Sequence, residues 1–160
     1  VEYGEYKNYY GWVWDWVEKA DDYDQKNSHH ILTLGEHCRQ TMHNVDKLCG
    51  EYQPIMLTEL RYAALLHDEG KIFTQTFKNA KGEATEEAHY YSHEHCSSYD
   101  SLFYEVPCNN LYVATLIRWH MAPYMAWRQS EKAKQRDKLL LGEELFNNIY
   151  LLHQADKEAH

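Results

Sequence analysis

The run Ala63-Ala64-Leu65-Leu66-His67-Asp68-Glu69-Gly70-Lys71 constrains the fold of this chain more than any other stretch. Its first four residues read as the last turns of a buried helix, so the histidine and aspartate that follow are delivered to the interior. Adjacent side chains cannot share one face of a continuing helix, so His67 and Asp68 meet at one point only if the backbone turns there. Gly70 is expected to release the chain from helical geometry. His37, His93 and His120, and Asp156, lie on other predicted helices beside apolar residues that carry them inward. These elements are therefore expected to pack around a shared polar centre.

Helical periodicity covers most of the chain, which predicts an all-α fold. Tyr9, Val13, Trp16 and Val17 fall at helical spacing in an amphipathic helix over residues 9–20, despite Gly11. The acidic and polar residues 21–28 form a loop. Thr33, with Glu36 three residues on, is a capping box for a helix that runs to about Leu48, where Leu34, His37, Thr41, Val45 and Leu48 share a stripe. Pro54 opens the next helix, whose face of Ile55, Leu57, Leu60, Ala63, Ala64 and Leu65 leads to His67. Residues 78–83 read as a turn or short hairpin. Ser92 caps a helix carrying His93, and Asn109 or Asn110 caps one that ends near His120, before Pro123. Residues 129–138 read as a solvated stretch. A last helix starts after Gly142, with Leu145, Ile149, Leu152 and Asp156 in register.

At 160 residues and 44% hydrophobic content the chain suffices for one core, read as a single domain over 1–160. Residues 1–27 form an N-terminal helix and loop, and 28–160 the metal-binding core. A net charge of -9 argues against a groove for duplex nucleic acid. It leaves a phosphorylated small molecule, a nucleotide or an RNA end as partner. Cys38, Cys49, Cys96 and Cys108 show no paired spacing, which points to a reducing cytoplasmic location. No apolar run is long enough to span a membrane, and the opening residues lack the pattern of an export signal. Trp12, Trp14 and Trp16 are expected in the core, with a homodimer surface as their other use.

Singly, each inner polar residue has a simpler use: His67 and His120 can serve the free carbonyls of a helix end, and Asp156 can be a surface acid. Jointly, five separated ionisable positions on apolar faces would be costly to desolvate without a common partner. Imidazole and carboxylate suit manganese, iron, nickel, cobalt or zinc, with magnesium preferring more oxygen. Asp68 can bridge two ions, with His37, His67 and Asp156 completing one and His93 and His120 the other. Such a pair of ions, about 3.5–4 Å apart, would clamp a phosphoryl oxygen and supply hydroxide at neutral pH.

The order His37, then Ala-Leu-Leu-His67-Asp68-Glu-Gly-Lys71, Tyr-Ser-His93-Glu, Arg-Trp-His120 and Gln-Ala-Asp156 resembles the HD-domain metal-dependent phosphohydrolase superfamily over about residues 28–160. The phrasing is most similar to the HD domains of bacterial CCA-adding tRNA nucleotidyltransferases, associated with phosphatase and 2',3'-cyclic phosphodiesterase activity. The resemblance implies His37, His67, Asp68 and Asp156 as ligands of a first metal and His93 and His120 of a second. It implies Lys71 as the cation that meets the phosphate, beside Asp68 in the catalytic centre. Glu69 departs from the apolar residue usual after the HD pair, which would open that turn or bring its carboxylate to the site. His95 competes with His93 as ligand. His29 and His30 are assigned to structure or substrate contact, and His43, His89, His153 and His160 to surface or packing. Arg118, Tyr124, Trp127 and Arg128 join Lys71 as substrate-binding candidates, because basic groups hold phosphate and aromatic faces stack on bases. Trp127 and Tyr124 also suit packing behind His120. The reading is a phosphohydrolase acting on a phosphomonoester or cyclic phosphodiester of a nucleotide or RNA end. Its rivals are a mononuclear 5'-nucleotidase and a non-catalytic nucleotide-binding sensor.

Overall fold

The structure is a computed structural model that describes residues 3–51 and 54–160. Its helices are α1 (Tyr3–Tyr10), α2 (Trp12–Lys19), α3 (Leu34–Cys49), α4 (Leu57–Leu66) and α5 (Lys71–Thr74), followed by α6 (His93–Ser101) and α7 (Asn110–Trp119). The chain closes with α8 (Ala126–Gln129), α9 (Glu131–Leu141) and α10 (Glu143–Lys157). Between α5 and α6 an antiparallel hairpin pairs β1 (Thr76–Lys78) with β2 (Ala84–His89), with an irregular register between Thr76 and Lys78. The mainly helical expectation holds, and the turn expected at 78–83 is the tip of this hairpin.

α3 packs on both α4 and α10, α4 on α7, and α7 on α6, so the five site-bearing helices pack together. Leu34, Met42, Leu60, Leu65, Leu66, Leu116, Ile117, Ile149 and Leu152 are sealed in the core. α3 begins with the expected reciprocal cap: Thr33 Oγ1 accepts from Glu36 N–H at 3.3 Å and Glu36 Oε2 accepts from Thr33 N–H at 2.9 Å. Asn109 caps α7 by accepting from Tyr112 N–H at 3.1 Å.

Three local expectations are corrected. The N-terminal helix is broken at Gly11, whose φ of 56° is open to glycine at little cost. The break resets the helical phase, so Tyr10 rather than Tyr9 is buried, and of the tryptophan cluster Trp14 and Trp16 enter the core while Trp12 faces out. α4 starts three residues after Pro54, and Ile55 is exposed rather than part of its apolar face. The stretch expected to be solvated is so, as a helix over residues 131–141 that Ser130 caps. Ser92 precedes α6 in the left-handed region with φ 60° and makes no side-chain cap.

Candidate metal centre

The sequence places these four histidines in the first turn of a helix or just after its last, and three of them use one local device. His67 follows the last residue of α4 and donates from Nδ1 to Ala64 O at 2.7 Å. His120 follows α7 and donates from Nδ1 to Ile117 O at 2.5 Å. His93 opens α6 and donates from Nδ1 to Tyr90 O at 2.9 Å. Each imidazole thus satisfies a carbonyl three residues back. His37 lies in the first turn of α3 and donates instead across the fold, from Nδ1 to Ala159 O at 2.7 Å. A carbonyl only accepts, so all four rings carry a proton on Nδ1 and present Nε2 inward. The helix-end use and the ligand use are the same arrangement seen from opposite edges of the ring.

Those inward nitrogens converge. His37 Nε2 lies 3.2 Å from His67 Nε2, and His93 Nε2 lies 3.3 Å from His120 Nε2. Asp68 spans the two pairs with separate oxygens. Its Oδ1 is 3.0 Å from His93 Nε2 and 3.6 Å from His120 Nε2, while Oδ2 is 3.4 Å from His37 Nε2 and 3.5 Å from His67 Nε2. Asp156 Oδ1 sits 2.9 Å from His37 Nε2 and 3.3 Å from His67 Nε2, and its Oδ2 accepts from Tyr124 O–H at 3.1 Å. Two donor groups result, His37–His67–Asp68–Asp156 and Asp68–His93–His120, each with its ligand atoms within 4.8 Å of one another. Either group can hold a divalent ion.

Burial disfavours charge on these side chains, and their mutual fields decide the outcome. For Asp68, burial is outweighed first by His67 and Lys71 and then by the His120 and His93 rings beside its Oδ1, so it stays well below the usual carboxylate range. Asp156 is held low against burial by His67 and His37. His67 is pushed up to about 9, because Asp68 and Asp156 outweigh its burial. Burial lowers His120 below the ordinary imidazole value, against the pull of Asp68. His30, edge-on to the His37 ring, is lowered to about 4 by burial and by Lys71. A proton on His67 therefore occupies the place that a metal ion would take.

The HD turn forms differently from expectation. α4 ends at Leu66 and the chain continues through tight turns, with Glu69 N–H donating to Leu66 O and Lys71 N–H to Asp68 O. Gly70 keeps a right-handed conformation with φ -65°, so it is not needed to leave the helix. It is needed for space: a Cβ there would lie 2.6 Å from His93 O, 2.6 Å from Ser97 N and 2.8 Å from Cys96 Cβ. Glycine lets the HD turn touch the first turn of α6 and so brings His93 to Asp68. Glu69 is buried and does not reach the metal centre. It faces Asp100, and burial together with that carboxylate pushes it up to about 9.

Lys71 is buried at the centre, with Nζ 2.9 Å from Asp68 Oδ2 and 2.8 Å from Gln25 Oε1. A cavity of about 630 Å³ opens over Asp68, Lys71, His37, His93 and Asp156, and Tyr124 is in its wall. The other substrate-binding candidates are elsewhere. Arg118 is exposed with its guanidinium over the Trp119 ring, and Arg128 is exposed on α8. Trp127 is core: its Nε1–H donates to Asp137 Oδ2 at 2.8 Å and its ring packs on Trp119 and Phe146. His95 is mostly exposed beside Glu94 and does not compete with His93. His89 and His160, expected at the surface or in packing, line the cavity, as do His29 and His30.

Residues unnoticed in the sequence complete the site. Gln25 is 1% exposed in a stretch that reads as polar linker, and it holds Lys71 while its Nε2–H donates to Leu32 O at 3.2 Å. Nothing in its local composition distinguishes it from its solvated neighbours. Met121 and Met125 also line the cavity; two methionines four residues apart beside a candidate ligand were the available signal.

No curated protein and no solved structure matches the chain. Residues 34–159 match the family model described as the HD domain, a span that contains all six convergent residues and most of the chain. The chain therefore belongs to the HD-domain family.

Proposed function

We propose that this protein is a metal-dependent phosphohydrolase that cleaves a phosphomonoester or a cyclic phosphodiester of a nucleotide or RNA end. The carrying observation is the four Nδ1–H groups tied to carbonyls, which leave four imidazole Nε2 atoms and two carboxylates facing a common space. Unpaired, such a set is costly to bury, and a divalent ion relieves that cost. His37, His67, Asp68 and Asp156 would hold one ion, and Asp68, His93 and His120 a second; manganese, iron, nickel, cobalt, zinc or magnesium is the candidate cofactor. A bound ion polarises a phosphoryl oxygen and lowers the pKa of water.

The chain's own residues do the rest. Lys71 is pinned by Asp68 and Gln25 at the cavity floor, where its ammonium offsets charge gathering on phosphoryl oxygens. Asp68 orients the two halves of the site through its separate oxygens, and Tyr124 fixes the rotamer of Asp156. Resemblance to the HD domains of CCA-adding enzymes supports a cyclic phosphate among the substrates, and the four free thiols support action in the cytoplasm. The mononuclear reading has its own support, since only the first group has four protein donors.

The test is turnover of p-nitrophenyl phosphate and its diester with added manganese. Hydrolysis is expected, with loss of at least a hundredfold in kcat on Asp68→Asn, as expected when a group central to charge stabilisation is removed. Absence of turnover with every metal of the series, at full metal occupancy, would favour the nucleotide-binding reading.

A further inference from the structure

The cavity's walls differ in chemistry from its floor. Beyond the metal ligands, Lys71 is the only lysine or arginine that lines it among the described residues, and its Nζ is already engaged at the floor by Asp68 and Gln25. One wall is the exit of the hairpin, where the His89 and Tyr91 rings stack with centroids 5.4 Å apart and planes inclined by 4°. The other is the segment after His120, with Met121, Tyr124 and Met125. Glu94 also lines the cavity, as do the imidazoles of His29, His30 and His160.

The hairpin exit is held firmly. Ala88 N–H donates to Lys26 O at 2.8 Å, Asn27 Nδ2–H donates to Ala88 O at 3.0 Å, and Tyr90 O–H donates to Gln25 O. The loop that positions Lys71 through Gln25 thus also positions the stacked pair. A stacked aromatic pair and two thioether side chains lining the same cavity suit a ring system, which gains from stacking and from apolar contact. The lining suits a second phosphate less, because that group would share it with the Glu94 carboxylate and find no guanidinium or ammonium besides that of Lys71 among the described residues.

Resting on the phosphohydrolase reading, we infer that His89, Tyr91, Met121 and Met125 form a specificity wall that selects a mononucleotide bearing one phosphate group. Nucleoside di- and triphosphates are disfavoured, because among the described residues the lining offers their further phosphates no lysine or arginine besides Lys71. The volume of about 630 Å³ accommodates a nucleoside with its phosphate on the ligands.

Binding to the manganese-loaded protein tests this independently of turnover, using three probes in calorimetry: a non-cleavable phosphonate of adenosine, the methylene analogue of adenosine diphosphate, and inorganic phosphate. The phosphonate is expected to bind about tenfold more tightly than inorganic phosphate, as one stacked ring provides, and no more weakly than the diphosphate analogue. The double variant His89→Ala/Tyr91→Ala should lose that advantage with phosphate binding unchanged, while Tyr91→Phe should keep it. Tighter binding of the diphosphate analogue, or an advantage that survives the double variant, overturns the inference. The expected order of binding without turnover of any ester upholds the wall and overturns hydrolysis alone.

Discussion

Replacing Gly70 by alanine probes how the HD turn is joined to the helix carrying His93. The added Cβ would sit 2.6 Å from both His93 O and Ser97 N, backbone atoms of α6 that cannot swing aside. Ordinary contact needs about 3.4 Å between such atoms, so α6 must retreat by roughly 0.8 Å, an overpacking that costs about 1–3 kcal/mol. The retreat also strains the Gly70 N–H bond to Ser97 Oγ, 2.7 Å long, and draws His93 Nε2 away from Asp68 Oδ1 at 3.0 Å. For a chain of this size the melting temperature should fall by about 3–10 °C. Metal titration of the folded variant should show the group built on His93 and His120 weakened, with the group built on His37, His67 and Asp156 retained. Backbone φ is ordinary at Gly70, so conformational strain makes no competing contribution. A variant with unchanged melting temperature and unchanged affinity at both groups would refute the close-approach account.

Three further outcomes are expected. Glu69, raised to about 9, takes up a proton on folding; its contribution is present below about pH 4.5 and is lost as pH rises through about 9. Glu69→Gln should therefore gain about 1–3 kcal/mol over the parent at pH 7–8 and little at pH 4, and a pH-independent difference in denaturant midpoints would contradict the burial of that carboxyl beside Asp100. His67, raised to about 9 without metal, stabilises the metal-free fold fully below about pH 6.5, and that contribution is lost as pH rises through about 9. Because an ion displaces its proton, metal affinity should climb about tenfold per pH unit from pH 7 towards 9, and a flat calorimetric profile would show that the proton is not where the ion binds. Thr33→Ala removes the cap that starts α3 and should cost about 1 kcal/mol in urea unfolding; no loss would mean that packing alone sets the start of that helix.

How much was legible in the sequence follows from which interactions are local. The Thr33–Glu36 box, the Asn109 cap and the apolar run into His67 act within a few residues, and the structure forms all three. The six convergent residues were legible because each interrupts an apolar face, a conflict that burial makes costly. Gln25 was not legible, since its role depends on Lys71, 46 residues away in sequence. Trp127 and the two arginines were misplaced for a related reason. Residue type suggests stacking or phosphate binding, but the fold turns the Trp127 indole to Asp137 and leaves both guanidiniums outside the cavity. Gly70 was noticed with the wrong function, because the space it provides belongs to a neighbour, α6, that follows later in the chain.

The central claim is that the four imidazoles and two carboxylates hold metal. Elemental analysis of the purified protein, beside its His67→Ala/Asp68→Ala variant, tests it most directly. One or two equivalents of a divalent transition metal are expected in the parent and none in the variant, with circular dichroism showing that the variant is folded. Full metal occupancy in a folded variant would contradict the assignment of the centre.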